Sequence, residues 1–242
     1  MEEEQFPIVD ISRFIENQQE DKVILRETAQ ELLKGFSEWG FIYLKGHFIP
    51  EEIVEQMFKL SEKFFKQPLE EKRKVLISTK DPDNIIGYIP FKMETFDVTK
   101  PFDLKEAFHY MHHINSEMKE NLSNEFLDPF KILFNKCSEL TFHLLTLLTD
   151  ALHIKDEKFL QNSHEKLGYL GNGTILRALF YPPVEKKTVL QDQTRCGEHS
   201  DYGTFTLLFQ NANGLEVNNL KSKTFSGNHE VCLEVLTVLT SF

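Results

Sequence analysis

The chain has 242 residues, 40% of them hydrophobic, enough to bury a substantial core as one large domain or two small ones, and one is expected. A formal charge of -11 with no Lys/Arg-rich run argues against nucleic-acid binding and leaves a small molecule as the expected partner. The start Met1-Glu2-Glu3-Glu4-Gln5 has neither the basic nor the apolar region of a secretory signal. The most apolar stretch, Leu140 to Ile154, is too short and too interrupted to cross a bilayer, so no membrane and a cytoplasmic location are expected. Cys137, Cys196 and Cys232 are odd in number and widely spaced, which suits neither a disulfide framework nor a Cys-x-x-Cys metal site.

Phe6 to Ile11 reads as an opening strand. Leu25, Ala29, Leu32, Phe36 and Trp39 form one apolar stripe on a helix that Gly40 can end. Phe41 to Leu44 reads as a strand. Pro50 with Glu51 and Glu52 marks the start of a helix whose inner stripe is Ile53, Met57, Leu60 and Phe64. Asp81 to Asn84 is a turn cluster, and Ile85 to His113 reads as irregular chain with short strands. A long helix is expected from about Glu125 to Leu152 with Pro129 in its first turn. From Thr174 the pattern becomes strand-like: Ile175 to Tyr181, Phe205 to Phe209 and Leu215 to Val217, with Glu230 to Phe242 alternating enough to form another strand. Helices followed by strands predict an α+β fold with a β-sandwich or barrel in its C-terminal half.

His199 and Asp201 stand two residues apart just before a strand, a spacing that on extended backbone projects both side chains to one side. Imidazole plus carboxylate suits non-haem iron(II), commonly held by two histidines and one carboxylate. Taken alone, a bare His-x-Asp reads as a solvated loop pair, because metal sites need a third ligand and short motifs match by chance.

The surrounding residues are more specific. Arg195 to Val217, with His-Ser-Asp-Tyr-Gly-Thr-Phe-Thr-Leu-Leu-Phe-Gln and then Asn-Gly-Leu-Glu-Val, closely resembles the iron-binding segment of the isopenicillin N synthase-like, plant-type iron(II)/2-oxoglutarate oxygenases. Phe6 to Asp10, Trp39 to His47, Gly87-Tyr88, Lys105 to Phe108 and Tyr181-Pro182-Pro183 extend the resemblance over about residues 6 to 217. It implies N-terminal helices packed on a double-stranded β-helix, or jelly roll, with Fe(II) and 2-oxoglutarate as cofactors, O2 as co-reactant and a small organic molecule as substrate. It also implies His199 and Asp201 as metal ligands and Tyr181 as a cosubstrate contact, although Leu179 stands where many members have asparagine. The expected regions are 1–120, an N-terminal oxygenase-family region; 121–220, a helix and the first part of the jelly roll; and 221–242, a divergent tail.

Complete members place a distal histidine and an Arg-x-Ser pair further along than the 41 residues that follow Asp201, and no arginine occurs after Arg195. The expectation is an incomplete jelly roll on a truncated isoform or gene-model product, impaired in catalysis; the alternatives are an inactive truncated isoform with a binding role or none and an oxidase that uses iron without 2-oxoglutarate. His229 reads as an exposed turn residue rather than a substitute ligand. His109, His112 and His113 would meet on a helix but read better as a strand lining the mouth of the site.

Overall fold

The computed structural model describes residues 6–17, 21–77, 85–112, 120–169, 172–201, 203–212, 214–215 and 217, and the backbone of 232–239. The chain divides into two compact units, each drawn from separate stretches of sequence.

The first unit takes Met1–Ile49, Lys136–Glu165 and Glu216–Ser226. Its β1 (Ile8–Asp10) pairs in parallel with β2 (Tyr43–Lys45), in the register Ile8 to Tyr43 and Asp10 to Lys45. Between them lie α1 (Ser12–Glu16) and α2 (Lys22–Trp39). Asp21 caps α2, its carboxylate accepting from the backbone N–H groups of Val23 at 2.8 Å and Ile24 at 3.2 Å, two donors that otherwise lack a partner in the helix. Gly40 ends the helix at φ 73° and donates to the Phe36 carbonyl. The buried face is Ile24, Thr28, Ala29, Leu32 and Gly35; Leu25, Phe36 and Trp39, placed on the inner stripe from sequence, lie half-buried at its edge. Apolar spacing finds the stripe but fixes its centre only to within a residue, because tertiary contacts choose the rotation.

The second unit takes Pro50–Asn135, Lys166–Leu215 and Gly227–Phe242. It contains α3 (Glu51–Phe65), α4 (Leu69–Arg73), β3 (Gly87–Ile89), β4 (Glu106–Tyr110), β5 (Ile175–Tyr181), β6 (Phe205–Gln210) and β7 (Cys232–Leu239). The strands form one antiparallel sheet in the order β3-β4-β5-β7-β6, so the last strand in sequence lies between two earlier ones. β4 is buried along its whole length, which explains why Glu106 to Tyr110 lacks the clean alternation of a one-sided strand. On one face, Phe64 packs against Tyr88, Phe108 and Phe126 with ring centroids 5.1–5.9 Å apart, while Phe65 stacks on Phe180 at 5.3 Å. Aromatic rings of this size bury large apolar areas. Arg177, Leu179 and Tyr181 alternate onto the other face of β5, beside His109 and Ala107 of β4.

Helix α5 (Asn124–Ala151) matches the long helix expected, but Pro129 lies inside it, past the first turn. The helix continues through a missing N–H because Leu127, Pro129 and Phe130 are all buried there, so packing offsets the lost bond. A short α6 (Phe159–Ser163) follows in the first unit. Leu215 and Val217 lie outside any strand, contrary to expectation, whereas the alternating tail does supply β7. The described residues therefore form an α+β structure. No helix among them is long and apolar enough to cross a membrane.

Candidate metal-binding site

The segment leading into β6 is tied down by backbone and side-chain hydrogen bonds before it reaches His199. Leu104 N–H donates to the Thr194 carbonyl at 3.1 Å, Gly197 N–H donates to Asp103 Oδ1 at 3.0 Å, and Arg195 Nη1 donates to the Pro182 carbonyl at 3.0 Å. Asp103 also accepts on Oδ2 from Lys105 Nζ at 2.9 Å, and both side chains are only 2% exposed. A charge pair so deeply buried is retained only when its remaining donors and acceptors are satisfied. Here Lys105 also faces Cys196 Sγ at 3.5 Å, Glu94 at 3.9 Å and the ring of Phe96 at 4.6 Å, while Asp103 holds the Gly197 amide.

His199 Nδ1–H donates to the Gly197 carbonyl at 2.8 Å, leaving Nε2 to face Asp201 Oδ1 at 3.3 Å. Asp201 Oδ2 accepts from the Thr206 hydroxyl on β6. The phenyl ring of Phe96 stacks flat on the imidazole, centroids 3.7 Å apart and planes 4° apart. The hydrogen bond to Asp201, then that to the Cys196 sulfur, pushes the His199 pKa up to about 10, and the bond between the pair holds Asp201 below the usual carboxylate range. Without a metal the imidazolium thus keeps its Nε2 proton and donates it to the Asp201 carboxylate.

This donor set fits a divalent cation. Two adjacent octahedral ligands at about 2.1 Å from a metal stand about 3 Å apart, close to the separation found here. The outer atoms, Nδ1 and Oδ2, are engaged by Gly197 and Thr206, which fixes the tautomer and turns Nε2 and Oδ1 toward a common point. Ligation needs the neutral imidazole, so a cation would take the place of the Nε2 proton. The side chains are 29% and 38% exposed, open enough for a metal to enter. No third His, Cys, Asp or Glu completes a cluster with them among the described residues.

Tyr181 is buried and packs with Ile89, Ala107 and Leu179 in a patch that Cys196 also joins, which brings the tyrosine beside the turn that carries His199. His109 and His112 do not meet: β4 ends at Tyr110, His109 is buried with Nδ1 on the Ile85 carbonyl at 3.0 Å, and His112 is exposed beside Phe134. His113 and His229 lie outside the described residues. His109 Nε2 and Arg177 Nε are buried without a hydrogen-bond partner, while Arg177 Nη2 donates to both carboxylate oxygens of Glu94 at 2.8 and 2.7 Å. Phe96, Asp103 and Thr206 were not singled out from sequence. Lys105 and Thr206 stood within noted motifs, but nothing local marks Phe96, an aromatic residue in irregular chain, as the neighbour of a histidine so far away.

The family model for the non-haem dioxygenase in morphine synthesis N-terminal matches residues 6–129, just over half of the chain. Among curated relatives, the UPF0676 protein C1494.01 of Schizosaccharomyces pombe is 35% identical over 195 residues, covering 78% of this chain and 58% of its own length. The proline hydroxylase buaE of Petromyces alliaceus is 29% identical over 203 residues, covering 78% of this chain and 60% of its own length. A full-length Neurospora crassa protein, solved in complex with alpha-KG, superposes with a TM-score of 0.73 at 26% identity, covering 98% of this chain and 79% of that one. The chain therefore belongs to the iron(II)- and 2-oxoglutarate-dependent oxygenase family. It spans about three fifths of the length of the two curated relatives.

Proposed function

We propose that this chain carries the N-terminal region and the iron-binding turn of an oxygenase that oxidises a small organic molecule with O2 and 2-oxoglutarate. The observation that carries the reading is the His199–Asp201 pair, with Nε2 and Oδ1 3.3 Å apart and their outer atoms engaged. When bound, iron and 2-oxoglutarate supply the oxidising chemistry, and the protein supplies position and electrostatics. His199 and Asp201 hold the metal. Tyr181 contacts the cosubstrate from the patch that includes Cys196, and the five-stranded sheet forms one wall of a jelly roll. Likeness to the Neurospora crassa protein, whose structure holds alpha-KG, supports this assignment of cosubstrate. Residues 1–120 then form the family's N-terminal region and 121–220 the first part of the iron domain.

Two protein ligands hold a cation more weakly than three, so a distal ligand decides how far this stretch acts alone. The reading is tested by anaerobic Fe(II) titration of the purified chain with and without 2-oxoglutarate. A metal-to-ligand charge-transfer band that is lost in His199→Ala supports it. Absence of the band from folded protein would instead favour a chain without oxygenase chemistry of its own.

A further inference from the structure

Resting on that metal reading, we infer that Phe96, Asp103 and Lys105 are positioning residues that clamp the His199 imidazole on its edge and on its flat face. Two routes lead from Asp103 to the ring. Along the edge, Asp103 Oδ1 accepts from Gly197 N–H at 3.0 Å, and the Gly197 carbonyl accepts from His199 Nδ1–H at 2.8 Å. Along the face, Asp103 Oδ2 fixes Lys105 Nζ at 2.9 Å, the ammonium lies 4.6 Å from the centre of the Phe96 ring, and that ring stacks on the imidazole at 3.7 Å. The first route sets the tautomer and the second blocks rotation about the ring's own bond, so Nε2 stays aimed at Asp201 Oδ1 before any metal arrives. Lys105 is suited to this position because a buried ammonium can donate to a carboxylate and face an aromatic ring together.

None of the three reaches the cation site itself, and their effect passes through His199. Phe96 is 41% exposed, so its substitution disturbs the fold little. The test compares wild type with Phe96→Leu, which keeps bulk but loses the ring, and Phe96→Tyr, which keeps the ring. Asp103→Asn retains the acceptor for Gly197 while removing the charge that fixes Lys105. Two readouts are taken: the ring-current shift of the His199 ring protons in metal-free protein, assigned with His199→Gln, and the affinity for Co(II) alone, followed by its d–d bands, with thermal melts as the control for folding.

The expected result is an upfield His199 signal in wild type and Phe96→Tyr that moves toward the random-coil position in Phe96→Leu and partly so in Asp103→Asn. Co(II) affinity falls roughly tenfold in Phe96→Leu, the loss typical of removing a residue that supports a ligand, and stays near wild type in Phe96→Tyr. Phe96→Leu binding Co(II) as tightly as wild type overturns the inference, as does a wild-type His199 signal without a ring-current shift. A wild-type chain that keeps the shifted signal yet gives no cobalt bands upholds the clamp on the imidazole and overturns the metal reading on which its purpose rests.

Discussion

At the scale of single residues, two ion pairs are buried among the described residues of the second unit. Beside the Asp103–Lys105 pair lies a separate cluster in which Glu106 accepts from Lys72 Nζ and from the Tyr88 hydroxyl, with Lys72 also donating to the Phe65 carbonyl at 2.9 Å. Lys72 and Glu106 are 7% and 11% exposed, so neither charge can turn to water when its partner is removed. Burial and the Glu106 carboxylate push the Tyr88 phenol far above its usual range, which keeps it a donor at every working pH. Glu106→Gln is expected to destabilise the protein by about 3 to 5 kcal/mol in urea denaturation, and adding Lys72→Met should recover much of that loss, because the double change removes the stranded charge. A single change costing under about 1 kcal/mol would show the pair to be hydrated. His109 makes a second prediction. Burial, with the positive charges of Arg177 and Lys105 beside it, lowers its pKa well below 6.5 despite the hydrogen bond to Ile85. The unfolded chain therefore takes up a proton near pH 6.5 that the folded chain refuses. The stability that the neutral ring represents is complete above that value and is lost as pH falls below it, with a slope approaching about 1.4 kcal/mol per pH unit. His109→Gln should flatten this acid limb in denaturation curves taken between pH 7 and 5. A limb unchanged by the substitution would assign it elsewhere, His143 of the first unit, also lowered by burial, being one source.

At the scale of elements, two glycines with nearly the same backbone angle differ in their surroundings. Gly40 at φ 73° has nothing within 4 Å of where a Cβ would stand, whereas a Cβ on Gly46 at φ 76° would lie 2.6 Å from both the Ser12 amide nitrogen and Asp10 Oδ1. Gly40→Ala should cost only the left-handed conformation, about 1 kcal/mol, and Gly46→Ala should cost roughly 2 kcal/mol more, since backbone must shift. Equal losses in thermal denaturation would mean that β1 and α1 yield easily. The α2 cap should cost about 1 kcal/mol in Asp21→Ala. Elements of this kind were legible in the sequence because their causes are local: Gly40 closing an apolar stripe, acids after Pro50, a short apolar and aromatic run from Ile175 to Tyr181 bounded by Pro182 and Pro183. The alternating tail was legible as a strand, but its place between β5 and β6 was not, because register between distant strands is chosen by the sheet as a whole. The site divides in the same way. His199 and Asp201 were picked out by the family resemblance of the segment around them rather than by spacing alone, while Asp103 meets Gly197 across 94 positions and Phe96 reaches His199 only through the fold.

At the scale of the molecule, the two units allow metal binding to be read by position. His199, Asp201 and every residue that orients them belong to the second unit, whereas Trp39, the chain's one tryptophan, belongs to the first. A cation that binds only the folded site stabilises it by RT ln(1 + [L]/Kd), about 2.7 kcal/mol at a hundredfold excess over Kd. Anaerobic Fe(II) should therefore slow amide exchange most in the turn before β6 and in β4 and β5, whose Lys105-side neighbours hold that turn, and it should do so by a factor approaching one hundred where exchange needs the whole unit to open. Trp39 fluorescence reports whether the first unit gains stability as well. In His199→Ala the protection should vanish while the metal-free exchange pattern stays, because the ring lies at the surface and supports no core residue. Adding 2-oxoglutarate should deepen protection only when Fe(II) is present, since a chelating cosubstrate binds through the metal. Protection by 2-oxoglutarate alone would place it on protein groups independent of His199, and protection by Fe(II) that survives His199→Ala would move the metal to other ligands.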